Sequence, residues 1–507
     1  MTGEVPTADV VLVLEGTYPF VLGGVSSWVH RLITRMPELS FGVVHLAPRV
    51  GHYGERPAYQ LPPNVAFVQQ LGIVPPPLPA RLPGRRLRAK VAALWDELLR
   101  LRDGDQLALA ELPSLAAELQ AAGVRAHDLL ASQACWEAAM RCYRAEAWRE
   151  SFLNFHWTWR FAWQPLLELL LFPMPEGGVY HTVSTGYAGM LAALAAASRG
   201  KPLLLTEHGI YTKERRIEIY SAHWIRDVDD GDLAVAGRAP YFREFWQRHF
   251  ALLSRCCYEA ATRIVTLYDN NRQAQIADGA PPAKCQVVPN GVDVQALTAA
   301  AQRAQPGTDA RPFTVAFVGR VCPIKDVRTF LAAMRLVAEA VPDVVVRVLG
   351  PMNEDAEYAE GCRTLARELG LAEQVRFEGP VDVRAELPHV DVLVLTSISE
   401  AQPLVGLEAG AFGVPVVASD VGSCRELLEG RGKEDKALGI GGLLTPIASP
   451  GAVAAAVLRL HADPELRRRM GESLQRRVQA NYDEVDMIAT YRGFYEEALA
   501  AAPTVRT

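Results

Sequence analysis

At 507 residues the chain is too long for one hydrophobic core, so two domains are expected. Half of the residues are apolar and 22% are charged, an ordinary globular balance. The net charge of -6 argues against nucleic acid as the main partner, because binding phosphate backbones normally requires a basic surface. The eight cysteines form no Cys-x-x-Cys pair, which argues against a zinc site or a disulfide framework and for reduced thiols in the cytosol. No stretch reaches the roughly 18 to 20 uncharged apolar residues of a membrane span. The opening run Val10 to Leu14 is also too short for a signal peptide.

Short apolar runs followed by helix-like stretches recur along the chain, the pattern of parallel α/β units. In the first half the predicted strands are Val10 to Leu14, Phe41 to Leu46, Leu203 to Thr206, Ile264 to Leu267 and Val287 to Val288. In the second half they are Phe313 to Val318, Val344 to Leu349, Val375 to Phe377, Val392 to Leu395 and Val414 to Ala418. Strands this continuously apolar are buried on both faces, as in a doubly wound sheet. The join is expected between Val294 and Pro312, giving domains over 1–298 and 299–480.

Between the second strand and Leu203 lies a long interval, opened by Pro75, Pro76, Pro77 and Pro79 and closing near Glu176. Within it Val91, Leu94, Trp95 and Leu98 recur at helical spacing, so a mainly helical insertion over about 75–176 is expected in the first domain. His156, Trp157, Trp159 and Trp163 are either a sugar-stacking surface or core aromatics of a helix. The basic cluster Arg81, Arg85, Arg86, Arg88 and Lys90 reads as a solvated helix face. A last helix, about 481–507, carries Tyr491, Phe494 and Tyr495 on one side and is free to return to the first domain.

Four places carry candidate chemistry. Gly23-Gly24 lies between the first strand and a helix starting near Ser26, a turn that can face backbone amides toward a phosphate. His208 follows the strand Leu203 to Thr206, beside Gly209. After the strand ending at Val318 comes Gly319-Arg320, with Lys325 close behind: a glycine for close approach and two cations for a diphosphate. After the strand ending at Leu395 comes Glu400, then Pro403-Leu404 at the expected first turn of a helix, then Glu408 more than a turn inside it. A helix N-terminus beyond a strand's carboxyl end suits an anion, and the two glutamates suit ribose and sugar hydroxyls.

Taken together, Gly319-Arg320, Lys325, Glu400, Glu408 and the stretch Val288 to Asp293 resemble the retaining glycosyltransferases of family 4. Leu14 to Pro19, Gly23 to Trp28, Thr206 to Tyr211 and Glu214 to Arg216 are similar to the subgroup of cytosolic transferases that serve Pel exopolysaccharide synthesis. The resemblance implies the GT-B fold, two Rossmann-like doubly wound domains facing a central cleft. It implies a UDP-sugar donor, no metal and no other cofactor, a growing polysaccharide as acceptor, and inner-membrane partners at the cytoplasmic face. By the same resemblance Arg320 and Lys325 bind the donor diphosphate, and Gly319, Pro403 and Leu404 line the nucleotide. Glu400 holds the sugar, Glu408 holds the ribose, His208 lines the reaction face, and Gly24 closes over the diphosphate. The chain departs from the family pattern at Gln402-Pro403 and at Gly350 to Asn353, which leaves glucose, GlcNAc and GalNAc open as the donor sugar. A UDP-sugar epimerase and a non-catalytic nucleotide-sugar-binding subunit are the alternatives.

Overall fold

The structure is a computed structural model and describes residues 5–76, 79–81, 84–222, 224–225, 241–303 and 311–501. Pro77 and residues 304–310 of the expected join lie outside these. The described chain divides into two units. The first comprises the residues up to 266, 271–287 and the chain from 491 on, and the second comprises 267–270 and 288–490.

The first unit is built on seven strands: β1 (Thr7–Glu15), β2 (Phe41–Ala47), β3 (Val65–Gly72), β4 (Glu176–Thr182), β5 (Leu203–Glu207), β6 (Arg263–Thr266) and β7 (Cys285–Val287). All pair in parallel, in the order β3-β2-β1-β4-β5-β6-β7. Val10 to Leu14 are wholly buried, as a strand covered by helices on both faces must be. Two strands escape the sequence reading. β3 is a half-exposed edge carrying Gln69 and Gln70, and β4 opens with Gly177-Gly178, so neither has the continuous apolar run that marks a central strand.

Helices Arg88–Arg102, Ala108–Ala121, Gln133–Cys142 and Phe152–Leu170 follow one another between β3 and β4. Val91, Leu94, Trp95 and Leu98 are buried there. The aromatic question resolves by position. Trp159 and Trp163 are core, their rings 6.0 and 5.5 Å from Trp95, whereas Trp157 is about half exposed (49%). The last helix, Glu484–Ala501, seats Tyr495 in the first unit, where its Oη lies 2.6 Å from His181 Nδ1. Tyr491 Oη and Thr206 Oγ1 lie 3.1 Å apart beside it.

The second unit holds β8 (Thr314–Val318), β9 (Val345–Leu349), β10 (Val375–Gly379), β11 (Val392–Leu395), β12 (Val416–Ser419) and β13 (Gly442–Thr445). The sheet is again parallel throughout, in the order β10-β9-β8-β11-β12-β13. β13 is a further strand that the apolar runs of the sequence do not mark. It is a short edge strand that takes its register from β12. Both sheets reverse their strand order once, between β1 and β4 and between β8 and β11. At such a switch point neighbouring loops run in opposite directions and leave a crevice at the carboxyl ends of the strands.

All eight cysteines are free and buried. Among the described residues no helix is long and apolar enough to cross a membrane.

Candidate functional site

The loops after β8 and β11 flank the switch point of the second sheet, and between them they carry most of the candidate residues. Their backbones are tied together. Ile398 N–H donates to Ile324 O at 2.9 Å, and Thr396 Oγ1 donates to Asp326 O at 2.9 Å and to Lys325 O at 3.2 Å. Asp326 takes a left-handed conformation (φ 46°) and caps the helix Val327–Ala340 by accepting from Thr329 N–H. The turn Pro323–Lys325 is thereby held, and Lys325 points at Glu400.

Lys325 Nζ donates to Glu400 Oε1, and the same oxygen accepts from Ser397 Oγ at 2.8 Å. Both side chains are mostly buried, 20% exposed for Lys325 and 13% for Glu400, so solvent screens this pair less than a surface pair. Arg320 stands apart. Its side chain is 55% exposed and ion-paired with Glu354. Two cations thus flank this switch point, one mostly buried against Glu400 and one exposed against Glu354.

Two glycines allow this crowding. Gly422, just past β12, has φ +56°, and a Cβ there would sit 2.1 Å from the carbonyl oxygen of Glu400. Ser423 N–H then donates to Ala401 O at 2.9 Å. Gly350, at the tip of β9, has φ +142°, and a Cβ there would sit 2.0 Å from Gly319 O. Only glycine fits either place. Neither position was singled out from the sequence for this role, although a glycine just beyond a predicted strand was a usable signal at both.

The helix Leu404–Ala411 begins one residue later than expected. Pro403 is its N-cap, in extended conformation (φ -74°, ψ 103°), because Gln402 is buried and holds the chain ahead of it by accepting from Asn290 N–H at 2.7 Å. Leu404 is the first helical residue, and Glu408, half-buried, lies just past the first turn. No acidic residue occupies that first turn.

In the first unit, Gly24 opens the helix Gly24–Thr34 with Gly23 as N-cap. Space beside both glycines is open, no side chain caps the helix, and its first turn holds no acid, all of which suit an anion. His208 follows β5. It is buried beside Trp28, with ring centroids 4.9 Å apart, and its Nε2 has no hydrogen-bond partner. Burial pushes its imidazole down to about 4, so it is neutral at physiological pH.

The preceding residue, Glu207, is an anchor to which the sequence alone assigns no role. Its carboxyl group accepts from Tyr258 Oη (2.8 Å), Gln275 Nε2 (2.9 Å), Tyr211 N–H (3.0 Å) and Thr185 Oγ1 (3.3 Å). Burial raises its pKa, and those hydrogen bonds oppose the rise. Asn271 Nδ2 donates to His208 O, so the turn that carries the histidine is gripped on both sides. Glu15, at the end of β1, accepts from Ala188 N–H at the start of the helix Tyr187–Arg199. Its pKa is raised by burial against the opposing charge of Arg215. Among the described residues no group of three His, Cys, Asp or Glu side chains is placed to hold a metal ion.

A family model described as Domain of unknown function (DUF3492) matches residues 8–283, over half of the chain. The chain belongs to that family. A second model, Glycosyl transferases group 1, matches residues 299–477, the segment that carries Gly319, Arg320, Lys325, Glu400 and Glu408.

Among curated relatives, the D-inositol 3-phosphate glycosyltransferase of Kineococcus radiotolerans is 37% identical over 44% of this chain and 54% of its own length. That of Geodermatophilus obscurus is 32% identical over 56% of this chain and 63% of its own. The chain thus spans less than two thirds of these relatives. Among solved structures, Anabaena Alr3699/HepE in complex with UDP and glucose aligns over 96% of this chain and 99% of its own, at 14% identity and TM-score 0.56. Sucrose-phosphate synthase from Thermosynechococcus elongatus aligns over 97% and 100%, at 18% identity and TM-score 0.58. These likenesses establish the fold: two Rossmann-like parallel-sheet domains of the kind found in GT-B glycosyltransferases.

Proposed function

We propose that the chain is a glycosyltransferase that takes a sugar from a UDP-sugar bound at the switch point of the second sheet. The observation that carries this reading is the buried Lys325–Glu400 pair at the carboxyl edge of β8 and β11, beside the start of the helix Leu404–Ala411. A cation, a carboxylate and a helix N-terminus in one crevice suit a ligand with both a diphosphate and hydroxyls. The group 1 glycosyltransferase model over 299–477 and the transferase names of the curated relatives support it. So do the neighbours solved with UDP and with UDP-glucose.

In this reading Lys325 and Arg320 neutralise the diphosphate, with the N–H groups of Leu404 and Val405 and the close backbone at Gly319. Glu408 takes the ribose, and Glu400 turns from Lys325 to the hydroxyls of the transferring sugar. Neutral His208 contributes a hydrogen bond without adding positive charge. Gly24 meets the diphosphate by the family resemblance alone. No divalent metal is required, since two cations and a helix terminus supply the positive field.

The finer reading is retention of configuration. The leaving phosphate takes the proton of the acceptor hydroxyl as the new bond forms on the face the nucleotide leaves, and no protein nucleophile takes part. The acceptor is a growing exopolysaccharide of the Pel kind, made at the cytoplasmic face of a membrane with membrane-bound partners. A UDP-release assay over UDP-glucose, UDP-GlcNAc and UDP-GalNAc, run with EDTA and with Mn²⁺, tests the proposal. Release with one donor in EDTA is expected. No release with any donor, or release only with Mn²⁺, overturns it.

A further inference from the structure

Buried polar atoms in a folded chain find hydrogen-bond partners, and a cluster of them without partners marks a place where something else supplies the bonds. One such cluster among the described residues stands apart from the groups discussed above. It lies at the carboxyl ends of β1 and β2. Thr17 Oγ1, Tyr18 Oη, His30 Nδ1 and both ring nitrogens of His45 are all buried and unpartnered. Tyr18 is 0% exposed and His45 1%. Unpartnered atoms of the helices include the indole N–H groups of Trp95, Trp159 and Trp163, whose burial follows from the size of the ring, and Tyr241 Oη, Trp246 Nε1 and His249 Nε2 of the helix Tyr241–Ala260.

The atoms of the cluster share one small region. Gly16 N–H donates to Leu46 O, tying the end of β1 to the end of β2, and Val21 N–H donates to Thr17 O to close the turn between. Aromatic rings cover it. Phe20 lies 4.8 Å from His45, and Tyr59 lies 5.3 Å from Tyr18 and 5.1 Å from His30. Tyr53 stands edge-on to His45 at 5.8 Å, with its hydroxyl over Gly16. Tyr53 and Tyr59 belong to the connection between β2 and β3, which is held down by a bond from Ala58 N–H to Pro19 O (2.8 Å) and by the Ser27 Oγ–Tyr59 Oη contact (3.1 Å).

We infer that the turn after β1 and the end of β2 form a subsite for an uncharged, hydroxyl-rich saccharide, covered by Tyr53 and Tyr59. The chemistry is specific. Hydroxyl oxygens and imidazole nitrogens both donate and accept, as sugar hydroxyls do, while ring faces suit the C–H surface of a pyranose. None of these five atoms belongs to a carboxylate, ammonium or guanidinium, so a charged ligand would find no counter-charge among them. Burial also holds His45 down to about 4, which keeps it neutral. That the saccharide is the acceptor of a transfer rests on the proposed function; the subsite itself does not.

The test is calorimetry on the full chain with maltotetraose, chitotetraose and, as a charged contrast, tetragalacturonate. Tyr18→Phe and His45→Leu are compared with wild type, and melting temperature and UDP affinity are measured alongside. A neutral tetrasaccharide is expected to bind saturably and tetragalacturonate not to bind. Each substitution is expected to weaken neutral binding tenfold or more, with UDP affinity unchanged and melting temperature equal or higher, because an unpartnered polar atom has been removed. Tyr18→Phe is nearly isosteric, so it carries the test if His45→Leu fails to fold. Absence of saturable neutral binding overturns the subsite, as does preference for tetragalacturonate. Variants that melt higher yet bind saccharide like wild type also overturn it, and assign those atoms to water. Loss of UDP binding in wild type strikes the transferase reading instead.

Discussion

Lys325 donates to Glu400 across the switch point of the second sheet, joining residues 75 positions apart in the chain. Glu400 is thus not a carboxylate waiting in solvent. It is stored against the cation that the proposed diphosphate would claim, and donor binding would release it toward the sugar.

That exchange separates the two glutamates. Glu400→Ala should leave UDP affinity close to wild type, since Lys325 is then free for the phosphates. Turnover of the UDP-sugar should fall on the order of 10²-fold, the size typical of one lost transition-state contact. Calorimetry with UDP and a UDP-release assay check the two halves, and abolished UDP binding would reverse the assignment.

Glu408→Ala should do the opposite. A ribose contact is the same in ground and transition states, so its loss weakens binding first. UDP binding should weaken by about 1.5–3 kcal/mol, the range for a hydrogen bond to a charged group. Normal UDP binding by this variant would remove Glu408 from the site.

Gly422→Ala tests the geometry rather than the chemistry. Its Cβ would press on the Glu400 carbonyl oxygen at 2.1 Å, so the loop must shift or the strand end must strain. A destabilisation of about 1–3 kcal/mol is expected in urea unfolding, as for other overpacked sites. Turnover should fall further than UDP affinity. If the variant turns over like wild type, the close approach does not position Glu400.

Glu207→Gln keeps the shape of a buried side chain that four donors address, but replaces one accepting oxygen with an amide. One donor then faces a donor, and a cost of about 1–3 kcal/mol is expected from the bond left unmade. The turn carrying His208 should loosen, so turnover falls while UDP affinity holds. Hydrogen exchange at Tyr211 N–H reads the loosening directly.

Acid should destabilise the fold in a defined window. Burial holds His45, His208 and His249 each near 4 against an ordinary 6.5. Between those values the unfolded chain binds protons that the folded chain refuses, so stability is full above 6.5 and falls as pH drops toward 4. For His45 alone the loss is about 3 kcal/mol at most, at 1.36 kcal/mol per unit. The raised carboxyls Glu15 and Glu207 act with the opposite slope, so the clean measurement is a difference. His45→Leu should gain stability relative to wild type as pH falls through this window, by urea titration at each pH.

The doubly wound architecture is legible in the apolar runs because central parallel strands must be apolar throughout. The strands that escape are those relieved of that demand: β3 and β13 at sheet edges, and β4 with its glycines and His181. The chemistry of the second unit is legible for a related reason. Lys325 and Glu400 each follow a readable strand, so their loops could be placed at strand ends. Their direct pairing was not legible, because it depends on which strands are neighbours. Gly422 and Glu207 matter only through what lies against them, a carbonyl oxygen in one case and four donors in the other, and local sequence carries neither.

The burial of every cysteine has a practical side. Their thiols are pushed up by burial, to about 11 at Cys135 and Cys142 and to about 12 at Cys256 and Cys424, so at neutral pH almost no thiolate is present to react. The folded protein is therefore nearly silent toward maleimides. One cysteine introduced at an exposed position such as Trp157 or Leu22 would be the dominant target for a fluorophore. Site-specific labelling then needs no prior removal of the native eight.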